Sequence, residues 1–173
     1  QCGDDLVTIL DFEKIVAEIA PETTIQMSEI DQLGERKRSD AVILVAEDSV
    51  LLSKMIEEAL HKSGYGNTRM FPDGSKLWEY LNSLRGHDNF DDEVALIITD
   101  IEMPQMDGHR LTKLVKDDKD FKHLPLIIFS SLITEEMRRK GKELGADEQM
   151  SKPEIGHLVR VIDHLLEEAG RRE

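Results

Sequence analysis

Short apolar runs alternate with longer stretches of helical periodicity from residue 41 towards the end of the chain. The runs contain few polar positions, which is typical of strands buried on both faces of a parallel sheet. They predict strands at residues 41–46, 67–71, 96–100, 124–129 and 145–150. Between and after these runs, apolar residues recur every three or four positions, which predicts five amphipathic helices. Five strands alternating with five helices predict a doubly wound α/β domain with right-handed crossovers.

Polar residues mark the starts of several helices and one long connection. Ser49 and Thr134 are predicted N-caps, and Asp73 begins a turn into the second helix. The polar stretch Arg85–Glu93 is predicted to be a long loop before the third strand. It is either a surface insertion or a partner contact, and we favour the insertion.

Residues 1–40 do not have the pattern of a complete domain. Residues 6–10 form a candidate strand, residues 12–20 form a candidate helix, and residues 21–40 are largely polar. One strand and one helix bury little apolar surface. We therefore interpret residues 1–40 as the C-terminal tail of another domain plus a linker, followed by the main domain at residues 41–169.

Charge and composition argue against several kinds of partner. The 173 residues carry a formal net charge of −14, which disfavours binding to nucleic-acid phosphates or anionic membranes. The single cysteine, Cys2, excludes an internal disulfide. No apolar run approaches the roughly 18 residues of a membrane span. We expect a cytoplasmic protein without direct nucleic-acid binding or membrane insertion. The six histidines share no metal-binding spacing and are expected at the surface.

The candidate chemistry lies where four of the predicted strands end. Asp100 ends the third strand, and Glu47 and Asp48 follow the first. Ser130 follows the fourth strand and Lys152 follows the fifth. Because parallel strands place their carboxyl ends at one edge of the sheet, these side chains are expected to converge in one crevice.

Three carboxylates in one crevice repel one another unless a cation lies between them. The set contains oxygen ligands without histidine or cysteine, which favours Mg²⁺ over a softer metal. The alternative is an acidic helix-capping cluster without a metal. Beside a metal, the Asp100 carboxylate could attack phosphorus in line. Lys152 would then neutralise the phosphoryl oxygens, and the Ser130 hydroxyl would donate a hydrogen bond to one of them.

The order and spacing of these residues resemble the receiver domain of two-component response regulators. Asp100 is separated from Ser130 by 30 positions and from Lys152 by 52, the spacing expected for that family. The resemblance covers residues 41–169 and rests on Glu47-Asp48, Asp100-Ile-Glu-Met-Pro104, Asp107-Gly108, Ser130 and Lys152-Pro153. It implies a flavodoxin-like sheet of strand order 2-1-3-4-5, for which the chemotaxis protein CheY is a reference example.

The resemblance implies that Asp100 is the phosphoacceptor. It would take a phosphoryl group from a phosphohistidine on a sensor histidine kinase. The implied cofactor is Mg²⁺, held by Asp48, Asp100 and the backbone carbonyl of Glu102, with Glu47 acting through water. The chain would not be an enzyme in the usual sense, because its activity would be limited to self-phosphorylation and autodephosphorylation.

The resemblance also assigns the switch residues and shows one departure. Ser130 and Lys152 would bind the phosphoryl group and couple it to the helix after the fourth strand. The peptide bond between Lys152 and Pro153 would be cis. The family usually has an aromatic residue three positions before this lysine, and Gln149 stands there. The aromatic switch of the family is therefore not expected here.

Residues 7–16 resemble the last strand and helix of a CheW-like coupling domain. A CheW-like domain followed by a receiver is the layout of CheV-type chemotaxis coupling proteins. This layout implies a CheA-like histidine kinase as partner, and chemoreceptors as further partners through the parent chain.

Two alternatives share part of this chemistry. A stand-alone or transcriptional receiver would have the same site with a different output, so the upstream sequence distinguishes it. A phosphatase of the haloacid-dehalogenase type also uses an aspartyl phosphate and Mg²⁺, but it carries a second aspartate two residues after its nucleophile. Glu102 and Val50 stand at the corresponding positions after Asp100 and Asp48, which disfavours this class.

Overall fold

The structure, a computed structural model, describes residues 28–152 and 154–170. Five parallel strands form one sheet in the order β2-β1-β3-β4-β5. The strands are β1 (Ser39–Ala46), β2 (Tyr65–Phe71), β3 (Leu96–Thr99), β4 (Leu126–Ser130) and β5 (Glu148–Ser151). The predicted doubly wound sheet and its strand order are confirmed.

Helices cover both faces of this sheet. The described residues contain seven of them: α1 (Ser28–Asp31), α2 (Val50–Lys62), α3 (Gly74–Ser83), α4 (Phe90–Glu93), α5 (Gly108–Asp117), α6 (Glu135–Glu143) and α7 (Ile155–Gly170). The helices α2 and α7 pack on one face, and α3 and α5 pack on the other. Alternate residues of β1 point to the two faces, so Ile43 belongs to the first apolar cluster and Leu44 to the second. Among the described residues, no helix combines the length and the apolar character of a membrane span.

The predicted helix caps are confirmed. The Ser49 hydroxyl accepts a hydrogen bond from the Leu52 backbone N–H at 3.3 Å, and the Thr134 hydroxyl caps α6 in the same way. The Asp73 carboxylate accepts from the Lys76 N–H at 3.0 Å and caps α3. These bonds satisfy backbone donors that the first turn of a helix leaves without a partner.

The predicted N-terminal tail lies largely outside the described residues. The candidate strand at 6–10 and the candidate helix at 12–20 both fall there. The end of the predicted linker, from α1 to β1, packs against the domain, and its Ile30 is 5% exposed.

The stretch Arg85–Glu93 is not a long irregular loop, because its last residues form α4. The Phe90 ring stacks on Phe121 with centroids 5.5 Å apart. The Arg85 guanidinium lies 4.2 Å from the centre of the Phe121 ring and pairs with Asp118 at 2.5 Å and Asp120 at 2.7 Å. An aromatic cluster with a guanidinium packed on it therefore holds the connection between α3 and β3 against the segment between α5 and β4.

Replacing Arg85 with methionine should lower the free energy of unfolding by about 1 kcal/mol, since the variant loses a forked carboxylate pairing and a cation–π contact. Hydrogen bonding to Arg85 lowers the pKa of Asp118 below its ordinary value of 3.8. The stability that the Arg85–Asp118 pair contributes is present above pH 3.8 and is lost as the pH falls through the lowered pKa of Asp118. The stability gap between wild type and variant, measured by urea unfolding, should therefore shrink on acidification. Arg110→Met, at an exposed position of α5, is the control, and an equal loss there would contradict a specific role for Arg85.

Candidate functional site

The Asp100 side chain is fixed at the carboxyl end of the central strand β3. The four residues of β3 are all buried, so the strand delivers the next residue to the edge of the sheet. Asp100 is 7% exposed. Its Oδ1 accepts hydrogen bonds from the Ile101 N–H and from the Ser130 hydroxyl, both at 2.6 Å. The carboxylate is therefore oriented by groups from two neighbouring strand ends.

Lys152 places a buried ammonium group between two carboxylates. Its Nζ lies 2.6 Å from Asp100 Oδ2 and 2.6 Å from Glu47 Oε2, and its side chain is 1% exposed. Burial by itself lowers the pKa of the Lys152 ammonium, but the charges of Asp100 and Glu47 outweigh it and hold this pKa above its ordinary value. Lys152 therefore stays positively charged and supplies a fixed positive charge beside Asp100.

Glu47 is the most buried carboxylate of the group. Its Oε1 accepts a hydrogen bond from the Ser49 N–H at 3.0 Å, while its Oε2 meets the Lys152 ammonium in an ion pair that lies outside hydrogen-bond geometry. Burial raises the pKa of Glu47, Lys152 opposes this shift, and the nearby charge of Asp100 adds to it. A further cation at this position would favour the ionised form of Glu47.

The donor set fits a hard divalent cation. Glu47, Asp48 and Asp100 each offer a carboxylate oxygen, and the three oxygens lie within 4.8 Å of one another. Three carboxylates facing one Lys152 ammonium leave two negative charges uncompensated when all are ionised. Asp48 is exposed and borders the same surface depression as Glu102. Oxygen ligands at a partly open site are what Mg²⁺ prefers.

The loop after Asp100 is closed tightly by its backbone. The Gly108 N–H donates to the Ile101 carbonyl at 2.9 Å, and the Met106 N–H donates to the Pro104 carbonyl at 2.6 Å. Gln105 has a φ of 61°, a conformation uncommon for a residue with a side chain. The sequence pattern gives no sign of this strained position. The loop holds Glu102 at the rim of the site.

Gln149, at the position where an aromatic residue is usual, joins β5 to α6. Its side-chain amide donates to the Arg138 carbonyl at 2.8 Å, and the Arg138 guanidinium donates to the Gln149 carbonyl at 3.1 Å. A Cβ at Gly141 would lie 2.6 Å from the Gln149 Cδ, so a larger residue at position 141 would require the Gln149 side chain to move. Pro153 lies outside the described residues, so the predicted cis peptide bond stays a prediction.

One histidine differs from the expected surface position. His109 on α5 is 5% exposed and lines the same depression as Asp48 and Glu102. Its Nε2 is buried without a hydrogen-bond partner among the described residues. Burial, followed by the charge of Lys140, lowers its pKa. His109 follows Gly108 in the first turn of α5, and its burial could have been anticipated from the position of this turn against the sheet edge.

Comparison with known proteins agrees with this geometry. The family described as response regulator receiver domain matches residues 43–163. Chemotaxis protein CheV2 of Helicobacter pylori is 32% identical over 165 residues, covering 93% of this chain and 50% of that protein. Sensor histidine kinase CheAY of the same organism is 28% identical over 168 residues, covering 92% of this chain and 20% of that protein. This chain therefore spans half or less of the length of these two relatives.

Solved structures share the fold. The signal receiver domain of a signal transduction histidine kinase from Syntrophus aciditrophicus superposes with a TM-score of 0.66 at 28% identity, covering 77% of this chain and 95% of that one. The match to the family covers more than two thirds of the chain. The chain belongs to the response regulator receiver domain family, the receiver domains of two-component signalling.

Proposed function

We propose that Asp100 accepts a phosphoryl group from the phosphohistidine of a sensor histidine kinase, in the presence of Mg²⁺. One observation carries this proposal. The Asp100 carboxylate is held at 2.6 Å by both the Ser130 hydroxyl and the Lys152 ammonium, beside an acidic cluster with room for a cation. A carboxylate that served only to cap a helix would need neither of these two partners.

The transfer is a direct displacement at phosphorus. A carboxylate oxygen of Asp100 forms a bond to phosphorus while the bond between phosphorus and the imidazole nitrogen breaks. The electron pair of the broken bond stays on that nitrogen, and the histidine leaves as neutral imidazole because its ring takes up one proton from solvent. Lys152 and Ser130 already contact the carboxylate, so both are placed to bind the phosphoryl oxygens. Hydrolysis of the acyl phosphate by water returns Asp100 to its starting form.

Mg²⁺ would be held by Asp48, Asp100 and the backbone carbonyl of Glu102, with Glu47 acting through water. When bound, it neutralises the negative charge on the phosphoryl oxygens. The excess of carboxylates over ammonium groups in the site supports this assignment.

Exposed apolar residues at the rim of the site support a protein partner. Val50 and Leu51 open α2 just after Asp48, and Leu132 follows Ser130; their exposures are 73%, 38% and 58%. They are the exposed large hydrophobic residues of the part of the chain that the structure describes. Apolar side chains around a polar centre suit the docking of a kinase domain that carries the phosphohistidine.

We assign the signalling pathway as chemotaxis coupling. This assignment rests on the similarity to CheV2 along 93% of the chain and to CheAY, a sensor histidine kinase. The partner would be a CheA-like kinase. Residues 1–40 would be the C-terminal tail of a CheW-like domain plus a linker, and the parent chain would reach chemoreceptors. The protein would act in the cytoplasm. A stand-alone or transcriptional receiver would use the same site.

The proposal is tested by intact-protein mass spectrometry after incubation with acetyl phosphate and Mg²⁺. Wild type should gain one phosphoryl group, and Asp100→Asn or removal of Mg²⁺ with a chelator should abolish the gain. Asp107→Asn is the control, because Asp107 caps α5 and asparagine is an equally good cap. A gain in Asp100→Asn equal to that of wild type would overturn the proposal.

A further inference from the structure

The segment that enters the domain runs along the face formed by α2 and α7. We call residues 29–37 the strap. Ile30 is 5% exposed and belongs to the apolar cluster that α2, α7 and the sheet share. Leu33 packs against the same cluster. Burial of these two apolar side chains favours the packed position of the strap. The strap is therefore packed as a part of this domain.

The first contact of the strap caps α7. The Glu29 Oε2 accepts a hydrogen bond from the Gly156 N–H at 2.8 Å. Gly156 is the second residue of α7, where backbone donors lack a partner within the helix and negative charge is favourable. A Cβ at Gly156 would lie 3.0 Å from the Glu29 Cβ. The strap can therefore approach α7 this closely because residue 156 has no side chain.

The second contact lies near the other end of the strap. The Arg36 guanidinium donates to the Ser63 carbonyl at 2.8 Å and to Asp163 Oδ1 at 2.5 Å. The Tyr65 hydroxyl donates to the same Asp163 oxygen, and burial together with this bond raises the pKa of Tyr65. Asp163 lies on α7, so the strap contacts this helix at two places along its length.

Glu29 and the phosphoacceptor meet the same short segment of chain. Gly156 lies four positions after Lys152, whose ammonium contacts Asp100 at 2.6 Å. The Lys152 N–H donates to the Ser130 carbonyl at 3.1 Å, which ties the start of this segment to β4. A group added to Asp100 must move the Lys152 ammonium, and the first turn of α7 follows closely along the chain.

We infer that the α2–α7 face is the docking surface of the strap, and that a phosphoryl group on Asp100 loosens this docking through Lys152 and the first turn of α7. We expect weaker docking, and not stronger docking, because of the contact between Glu29 and the start of α7. Glu29 and Gly156 are joined by a hydrogen bond, and the space beside Gly156 is too tight for a side chain, so a shift of the helix start weakens this contact. By linkage, the strap in turn opposes the modified state of Asp100. The coupling between Asp100 and the strap rests on the proposed function, whereas the docking of the strap does not.

The docking is tested by hydrogen–deuterium exchange of the full chain. Peptides covering residues 28–38 should be protected in wild type. Glu29→Ala should raise their exchange rate about fivefold, the factor expected for a lost helix cap, and Ile30→Asp should raise it further. Glu143→Ala on exposed α6 is the control and should change nothing there. Unprotected wild-type peptides, or unchanged exchange in Glu29→Ala, would overturn the docking. Protection of β1 and β3 shows that each variant is folded.

The coupling is tested by adding beryllium fluoride and Mg²⁺, with bound fluoride followed by ¹⁹F NMR. We expect exchange of residues 28–38 to rise in wild type and to rise less in Glu29→Ala. A bound fluoride signal without any change in exchange would overturn the coupling. Absence of a bound signal would overturn the proposed function and the coupling with it. The docking would still be tested by the exchange of wild type, Glu29→Ala and Ile30→Asp.

Discussion

Replacing Lys152 with methionine is expected to lower the free energy of unfolding by about 3–5 kcal/mol at neutral pH, the range for removing one partner of a buried ion pair. The Glu47 side chain is 1% exposed and that of Asp100 is 8% exposed. Both carboxylates lose their buried counter-charge in this variant, although methionine fills a similar volume. Lys142→Met is the control, because Lys142 is exposed on α6.

The pH dependence of the Lys152→Met variant has a defined sign. Burial already raises the pKa of Glu47 above its ordinary value of 4.5, and Lys152 opposes that shift. Without Lys152 the pKa of Glu47 rises further, so the contribution of Glu47 to stability is greatest below 4.5 and is lost as the pH rises through the raised pKa. Mg²⁺ should restore part of the loss. Denaturant unfolding at several pH values measures this, and equal losses in Lys152→Met and Lys142→Met would contradict the account.

Gly108→Ala is expected to destabilise the domain by about 3 kcal/mol, the upper part of the range for overpacking, and to slow phosphorylation of Asp100. A Cβ at position 108 would lie 2.9 Å from the Asp100 carbonyl carbon and closer still to its oxygen. The obstructing atoms belong to the backbone of the phosphoacceptor itself. The loop must therefore open, which displaces the carboxylate from Ser130 and Lys152.

Gly66→Ala is the matched control for Gly108→Ala. No atom lies within 4 Å of a Cβ built at Gly66, and the residue is on β2, where alanine is acceptable. Urea unfolding and the rate of mass gain with acetyl phosphate measure both effects. Wild-type stability and rate in Gly108→Ala would show that the closed loop does not position Asp100.

The sheet and the convergence of the site could be predicted because both follow from local patterns. A buried strand is apolar along its length, and the residue after it lies at the sheet edge in every parallel strand. Asp100, Ser130 and Lys152 are far apart in sequence, yet each lies at the carboxyl end of its own strand. The chemistry of the site is therefore visible in the order of the strand ends.

The strap could not be predicted in this way. Residues 29–37 are mostly polar and carry no helical or strand period. The bond from Glu29 joins residues 127 positions apart, and it depends on the absence of a side chain at Gly156. The helix α4 was missed for a related reason, because four residues are too few to show a period and its order comes from Phe90 stacking on Phe121. Both elements are set by tertiary contacts.

The most direct test of the central claim is to locate the phosphoryl group within the chain. Protein treated with acetyl phosphate and Mg²⁺ is reduced with borohydride, which converts an aspartyl phosphate into homoserine, and is then digested and sequenced by tandem mass spectrometry. We predict homoserine at position 100, dependent on both Mg²⁺ and the phosphodonor. Homoserine at another aspartate, or an unchanged Asp100 in protein that has gained the phosphoryl group, would contradict the account.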